Sequence, residues 1–174
     1  MYKIFGVFLV GISIYGSDIN LPVSFSSDFK QIVTNPNNKA IKYSGKVKFV
    51  YPSIMKWEYL SPTQKEVCST TERVTVVDHD LEQVSFYYLN KKFDVAWILS
   101  HAKHYKDNIY IAKYQDKDYT IALDKNGHLQ SMAYYDDMDN KVQIVFTKVR
   151  YKKKPFDSKT MQCYFPKYYD IIRG

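Results

Sequence analysis

Ile41, Tyr43, Val47, Phe49 and Tyr51 alternate with Lys42, Ser44, Lys46 and Lys48. In an extended chain this places apolar groups on one face and ammonium groups on the other. Pro52-Ser53 turns that strand, and Met55, Trp57 and Tyr59 then alternate with Lys56 and Glu58 until Ser61-Pro62 turns the chain again, which predicts a hairpin. Further strands are predicted over 64–69, 73–78 and 83–89, and again over 108–114, 119–124, 129–135 and 142–151, with turns at 124–127 and 136–140. Connections this short require antiparallel neighbours.

Two segments depart from period 2. Residues 24–33 begin with serines and space Phe29, Ile32 and Val33 as a helix would, ending at the breaker Asn35-Pro36-Asn37-Asn38. Residues 93–104 carry Phe93, Ala96, Trp97 and Ser100 at i, i+3, i+4 spacing, with Ile98 and Leu99 beside them. Each predicts a short amphipathic helix. The tail adds a basic loop at 152–155, a last strand near 161–165 and a terminal extension at 168–172. The fold class expected is mainly β, a single curled antiparallel sheet covered on one side by short lid helices. Periodicity leaves open whether its interior is solid core or a ligand cavity.

The N-terminus changes the setting. Met1-Tyr2-Lys3 is followed by a charge-free apolar run from Ile4 to Tyr15 and then by Gly16-Ser17-Asp18. That is the order of a secretory signal peptide, too short for the roughly 20 apolar residues of a spanning helix. We expect a leader over 1–17, cleaved after Gly16 or Ser17, and one exported domain over 18–174; the alternative for the leader is a buried N-terminal strand. No cysteine stands near the cleavage region to carry a lipid anchor.

The net charge is +7, and 17 Tyr accompany 10 Phe and 2 Trp. Basic charge with aromatics suits single-stranded nucleic acid, but export argues against nucleic acid as a partner. The lysines that alternate along strands read as a solvated outer face, with a basic docking surface, Lys152 to Lys154 included, as the lesser reading. Cys68 and Cys163 lack C-x-x-C spacing. In an oxidising compartment they either pair or act as small buried residues.

Gly45, Val47, Phe49, Pro52, Trp57, Glu58, Tyr59 and Pro62, followed by Asp78, Asp80, Leu81, Glu82, Gln83 and Val84, form a run that resembles the outer-membrane lipoprotein carrier protein, the LolA family. The likeness continues loosely through 93–102, 124–129, 136–140, 144–146, Phe165-Pro166 and Asp170-Ile171. It implies an unclosed half β-barrel with a helical lid. It also implies a periplasmic monomer that takes lipoproteins by their acyl chains from an inner-membrane transporter and delivers them to an outer-membrane receptor. By that resemblance Phe49, Met55, Trp57, Val84 and Phe86 would line the acyl-chain cavity, with Trp97, Ile98 and Leu99 added from the lid. Simple core packing is the competing reading for each.

Two departures bear on how cargo is held. The family commonly has Arg before the Pro of the first hairpin, latching the lid; here Tyr51 stands there, with one donor and no charge. The aromatic of the hairpin turn is replaced by Met55.

Other constellations carry less. His101 and His104 lack further zinc ligands, and Asp136, Asp137 and Asp139 lack calcium-loop spacing. There is no G-x-S-x-G elbow or phosphate-binding glycine loop. We therefore expect no metal, no cofactor and no enzymatic activity. A lipid sensor or receptor-like binding module of the same fold is the alternative to a carrier.

Overall fold

The computed structural model describes residues 19–88 and 95–173; the leader expected over 1–17 lies outside them. Twelve strands form one sheet. The first half is a meander, β1 (Ser24–Thr34), β2 (Ala40–Val50), β3 (Ile54–Ser61), β4 (Lys65–Ser69), β5 (Arg73–Asp78) and β6 (Gln83–Tyr88). A short helix, α1 (Val95–Ser100), leads to a second meander, β7 (Lys103–Lys106), β8 (Ile109–Tyr114), β9 (Lys117–Leu123), β10 (Leu129–Tyr135) and β11 (Lys141–Lys152). A 3-10 turn (Ser158–Met161) precedes β12 (Asp170–Arg173). The strand order is β12-β6-β5-β4-β3-β2-β1-β11-β10-β9-β8-β7, so the barrel is not closed.

The segment expected to open the chain as a helix is instead β1, which pairs with β2 along its whole length and with β11 on its other side. Its helical spacing is misleading because two inward positions are polar. Phe25 and Phe29 face inward, and so do Ser27 and Gln31. The buried Ser27 hydroxyl donates to the Thr147 carbonyl at 2.8 Å. Beyond Gln31, the outward Ile32 then reads as part of an apolar helical stripe.

Register sets two faces of opposite character. Val47 pairs with Trp57, Phe49 with Met55, and Phe29 with Gly45, and paired residues share a face. Phe29 sits edge-on to Trp57 at 4.8 Å and to Tyr59 at 5.1 Å between centroids. Gly45 makes this possible, because a Cβ there would lie 1.9 Å from the Glu58 carbonyl oxygen and 2.9 Å from the Phe29 ring. The inner faces of both meanders and α1 make one continuous core that includes Phe25, Phe29, Ile121, Ile144 and Ile98. Of the two lid helices expected, α1 is the one found among the described residues. It runs over 95–100, and β7 occupies the end of the segment expected to be helical.

The outer face carries charge and a strap. Lys56, 8 % exposed, reaches Glu66 at 3.0 Å and donates to the Gln162 carbonyl at 2.8 Å. Cys163 is disulfide-bonded to Cys68 across 95 residues of sequence, Phe165 stacks edge-on to Phe86, and Tyr169 hydroxyl meets His79 Nδ1 at 3.1 Å. The strap has no strand over 161–165. Its 3-10 turn, capped where Asp157 accepts from the Lys159 amide, runs into an extended crossing of the sheet. The residues expected as a loose extension form β12, parallel to β6. No described helix is long and apolar enough to cross a membrane.

Two outcomes follow for stability. Gly45→Ala should cost about 3 kcal/mol or abolish folding, since overpacking here meets backbone that cannot yield; a urea midpoint unchanged from wild type would contradict the close approach. Removing the disulfide with Cys163→Ser should cost up to about 4.7 kcal/mol on the chain-entropy scale for so long a loop, and hydrogen exchange should show β12 losing protection before β1.

Candidate functional site

A partly enclosed cavity of about 150 Å³ lies on the concave face beside the start of α1. Met55 and Trp57 form one wall, Met132, Ile144 and Phe146 the opposite one, and Val95 of α1 covers it. The walls come from strands on either side of β1, so the cavity exists because the sheet curls about that strand. Trp57 and Phe146 approach to 6.3 Å between centroids. The volume is well below the roughly 300–1,000 Å³ of a typical ligand site. A long chain enters only if side chains or α1 give way.

The eight apolar residues named from the sequence do not all meet here. Met55 and Trp57 line the cavity. Phe49, Ile98 and Leu99 belong to the buried core that continues from it, Phe49 packing on Phe25 at 5.3 Å. Trp97 is 37 % exposed, stacked on His101 at 3.9 Å with Tyr114 at 4.9 Å. Val84 and Phe86 stand on the opposite face of the sheet, a correction to their expected place. Phe86 pairs with Thr75, which pairs with Cys68 and then Lys56, so all of them point outward beneath the strap. Period 2 assigns residues to faces within a strand, but only the register between strands says which face is concave. Tyr51 is exposed in the β2–β3 turn, its amide donating to the Val23 carbonyl at 2.9 Å.

Sequence reading missed Phe25, Gln31, Tyr59, Met132 and Tyr134 as lining residues. The alternation of 142, 144 and 146 was the available signal for the far wall. Gln31 offered none, being polar and inward. At this end of the cavity the Tyr59 hydroxyl donates to Gln31 Oε1 at 3.1 Å. Burial, with the Tyr43 phenol adding, pushes the Tyr59 pKa up to about 12. Burial likewise raises Tyr134, with Tyr59 and Tyr119 as further causes. Both phenols are neutral donors throughout the ordinary pH range. At the opposite end a wider groove of about 560 Å³ opens beside Tyr110, His128 and Tyr151, with Lys152 and Lys153 on its rim.

The polar clusters have local explanations. His101 Nδ1 lies 2.9 Å from the Trp97 carbonyl, and His104 Nε2 lies 2.7 Å from that of Asp107. Asp136 accepts from the amides of Met138 and Asn140 to close its turn, and Asp137 pairs with Lys117. Glu66, Cys68 and Cys163 lie close enough to share a cation, but the two sulfurs are bonded to each other. On the convex face Lys46, Lys48, Lys148 and Arg150 border a shallow groove, and the Lys148 ammonium, 2.9 Å away, holds the Asp28 carboxyl below its usual range.

The family model for the outer membrane lipoprotein carrier protein LolA matches residues 23–160. An outer-membrane lipoprotein carrier protein of Campylobacter jejuni is 33% identical over 175 residues, covering 99% of this chain and 100% of the relative. One of Helicobacter hepaticus is 32% identical over 127 residues, 73% of this chain and 71% of the relative. Among solved structures, an uncharacterized conserved protein from Thermus thermophilus superposes with a TM-score of 0.56 at 10% identity, covering 88% of this chain and 92% of that one, a likeness of fold. With an unclosed, mostly β sheet curled around an apolar cavity and a family match spanning most of its length, the chain belongs to the outer-membrane lipoprotein carrier family, LolA.

Proposed function

We propose that this protein is a periplasmic carrier that shields the acyl chains of lipoproteins between its concave sheet and α1. In this reading residues 1–17 direct export. Lipoproteins are received from an inner-membrane transporter and passed on at the outer membrane, and the carrier works as a monomer. The observation that carries this is the cavity itself. It is mostly apolar, and α1, which borders it through Val95, is only six residues long. A core covered so thinly can open without dismantling the sheet.

Energetics favour such a roof. Burying an acyl chain yields about 0.8 kcal/mol per methylene, so a carrier that simply engulfed several chains would never release them. Here Val95 lines the cavity and Ile98 and Leu99 pack in the core beside it, all nearly fully buried. Entry of cargo displaces them from the core, and their return offsets part of the cost of letting cargo go. The exposed Tyr51 offers no guanidinium to fasten the roof, so in this reading closure rests on apolar packing, which ionic screening does not weaken. Met55 and Trp57 are the wall residues we assign to acyl contact. The role assigned to the cavity is binding.

Native mass spectrometry of the protein purified from periplasm should show acylated lipoprotein travelling with it. Free phospholipid alone would instead favour a lipid-binding module of the same fold. Trp57→Glu should lower lipopeptide binding at least about tenfold, since a charge in the apolar wall must be desolvated, while circular dichroism remains that of the folded sheet. Undiminished binding by a folded Trp57→Glu protein would remove that wall from the site.

A further inference from the structure

Gln31, Tyr59 and Val67 line two spaces at once. On one side is the partly enclosed cavity, and on the other a cleft of about 260 Å³ bordered by Val33, Tyr43, Thr63 and Lys65. They therefore form a neck where the apolar cavity adjoins a more open cleft beside the β3–β4 turn, whose polar side chains are Tyr43, Thr63 and Lys65. The cleft is marked by charge, since Lys65 pairs with Asp78 at 2.9 Å. Inside the neck the surroundings are apolar apart from Tyr134.

An amide and a phenol in such a place need hydrogen-bond partners, because a polar group in an apolar setting without one is costly. In the closed form each answers the other, the Tyr59 hydroxyl donating to Gln31 Oε1. The Gln31 Nε2 carries two further donor protons. A chain threaded through the neck passes between these two side chains and disturbs their bond. Pure hydrocarbon would leave the donors unanswered. A group that is itself an acceptor, at the boundary between hydrocarbon and polar matter, would answer them. In an acylated ligand that group is the ester or amide carbonyl at the root of the chain.

We propose that Gln31 and Tyr59 are a carbonyl-binding subsite. They donate to the carbonyl oxygen of an acyl ester or amide, so that the hydrocarbon lies in the cavity and the polar part of the ligand leaves through the cleft beside Lys65. This rests on the carrier reading above and adds to it a direction of loading and a preference for acyl over alkyl chains. The donors are available at neutral pH, as both are uncharged. The selectivity is that of a site built to hydrogen-bond, which rejects an isostere lacking the partner more sharply than an apolar wall can.

The test compares two lipopeptides of identical peptide and chain length, one a dipalmitoyl ester and the other its dihexadecyl ether, by calorimetric titration of the leaderless protein. The wild type should bind the ester about tenfold more tightly, the scale of one hydrogen bond to a buried group. In Gln31→Leu the ester should fall to the affinity of the ether while ether binding stays unchanged, and Tyr59→Phe should move in the same direction. Equal affinities in the wild type, which needs no variant to measure, would overturn the subsite and leave the carrier reading standing. A parallel loss of both ligands in Gln31→Leu would also overturn it, showing a packing role instead. If the wild type binds neither lipopeptide, the carrier reading and the subsite fall together.

Discussion

A side chain at position 45 would meet the Glu58 carbonyl oxygen first and the Phe29 ring next, so both the close approach of β2 to β3 and the seat of that ring depend on glycine there. β1 is the seam of the sheet, with β2 on one side and β11 on the other. A large inward residue at its middle would push the walls apart if the neighbouring strand also presented a side chain. Gly45 absorbs the bulk, Trp57 and Tyr59 pack edge-on to the ring, and the sheet curls tightly enough for Trp57 to approach Phe146 from the far side. An aromatic covering a strand glycine is a recognised way to stabilise a strongly curled sheet. Here it also fixes the width of the space between the walls.

The two faces divide the work. On the outer face the contacts are directional: a buried lysine with a carboxylate and a carbonyl, a disulfide, and a parallel edge strand. Removing one partner of such a set leaves a charge without compensation, so these contacts resist gradual deformation. On the inner face, apart from the Ser27 and Gln31–Tyr59 hydrogen bonds, contacts are non-directional and include two methionines, whose unbranched side chains refill irregular space at little cost. A rigid back with a yielding front lets the front repack around different chains while strand register is kept.

Most of the sheet was legible because its strands alternate cleanly, as 41–51 and 55–59 do. β1 was not, and the reason is physical. Ser27 and Gln31 face inward because one ties β1 to the Thr147 carbonyl and the other bonds Tyr59, and polar groups turned inward erase the period that would have revealed a strand. The residues that hid the element are among those that make the site. Phe86 and Val84 were assigned to the wrong face for another reason, since the strap covers the convex face of β6 and buries residues there that would otherwise be solvated. Alternation then says only that a residue is buried, not by what. The disulfide could not be decided from spacing alone, because only the path of the strap across the convex face brings residue 163 to residue 68.

An unclosed barrel has two margins, and here each is a strand of four residues, β7 at one end and β12 at the other. β12 is laid parallel against β6 by a segment that the disulfide fastens to the sheet, so the six-residue β6 is never itself a margin. Unpaired strand edges are templates on which like chains polymerise, and very short ones offer too little ladder to hold a second copy. β7 adds Lys103 and Lys106, charges that repel an identical edge. The barrel can thus stay open along one side while each margin offers a second copy only a short ladder.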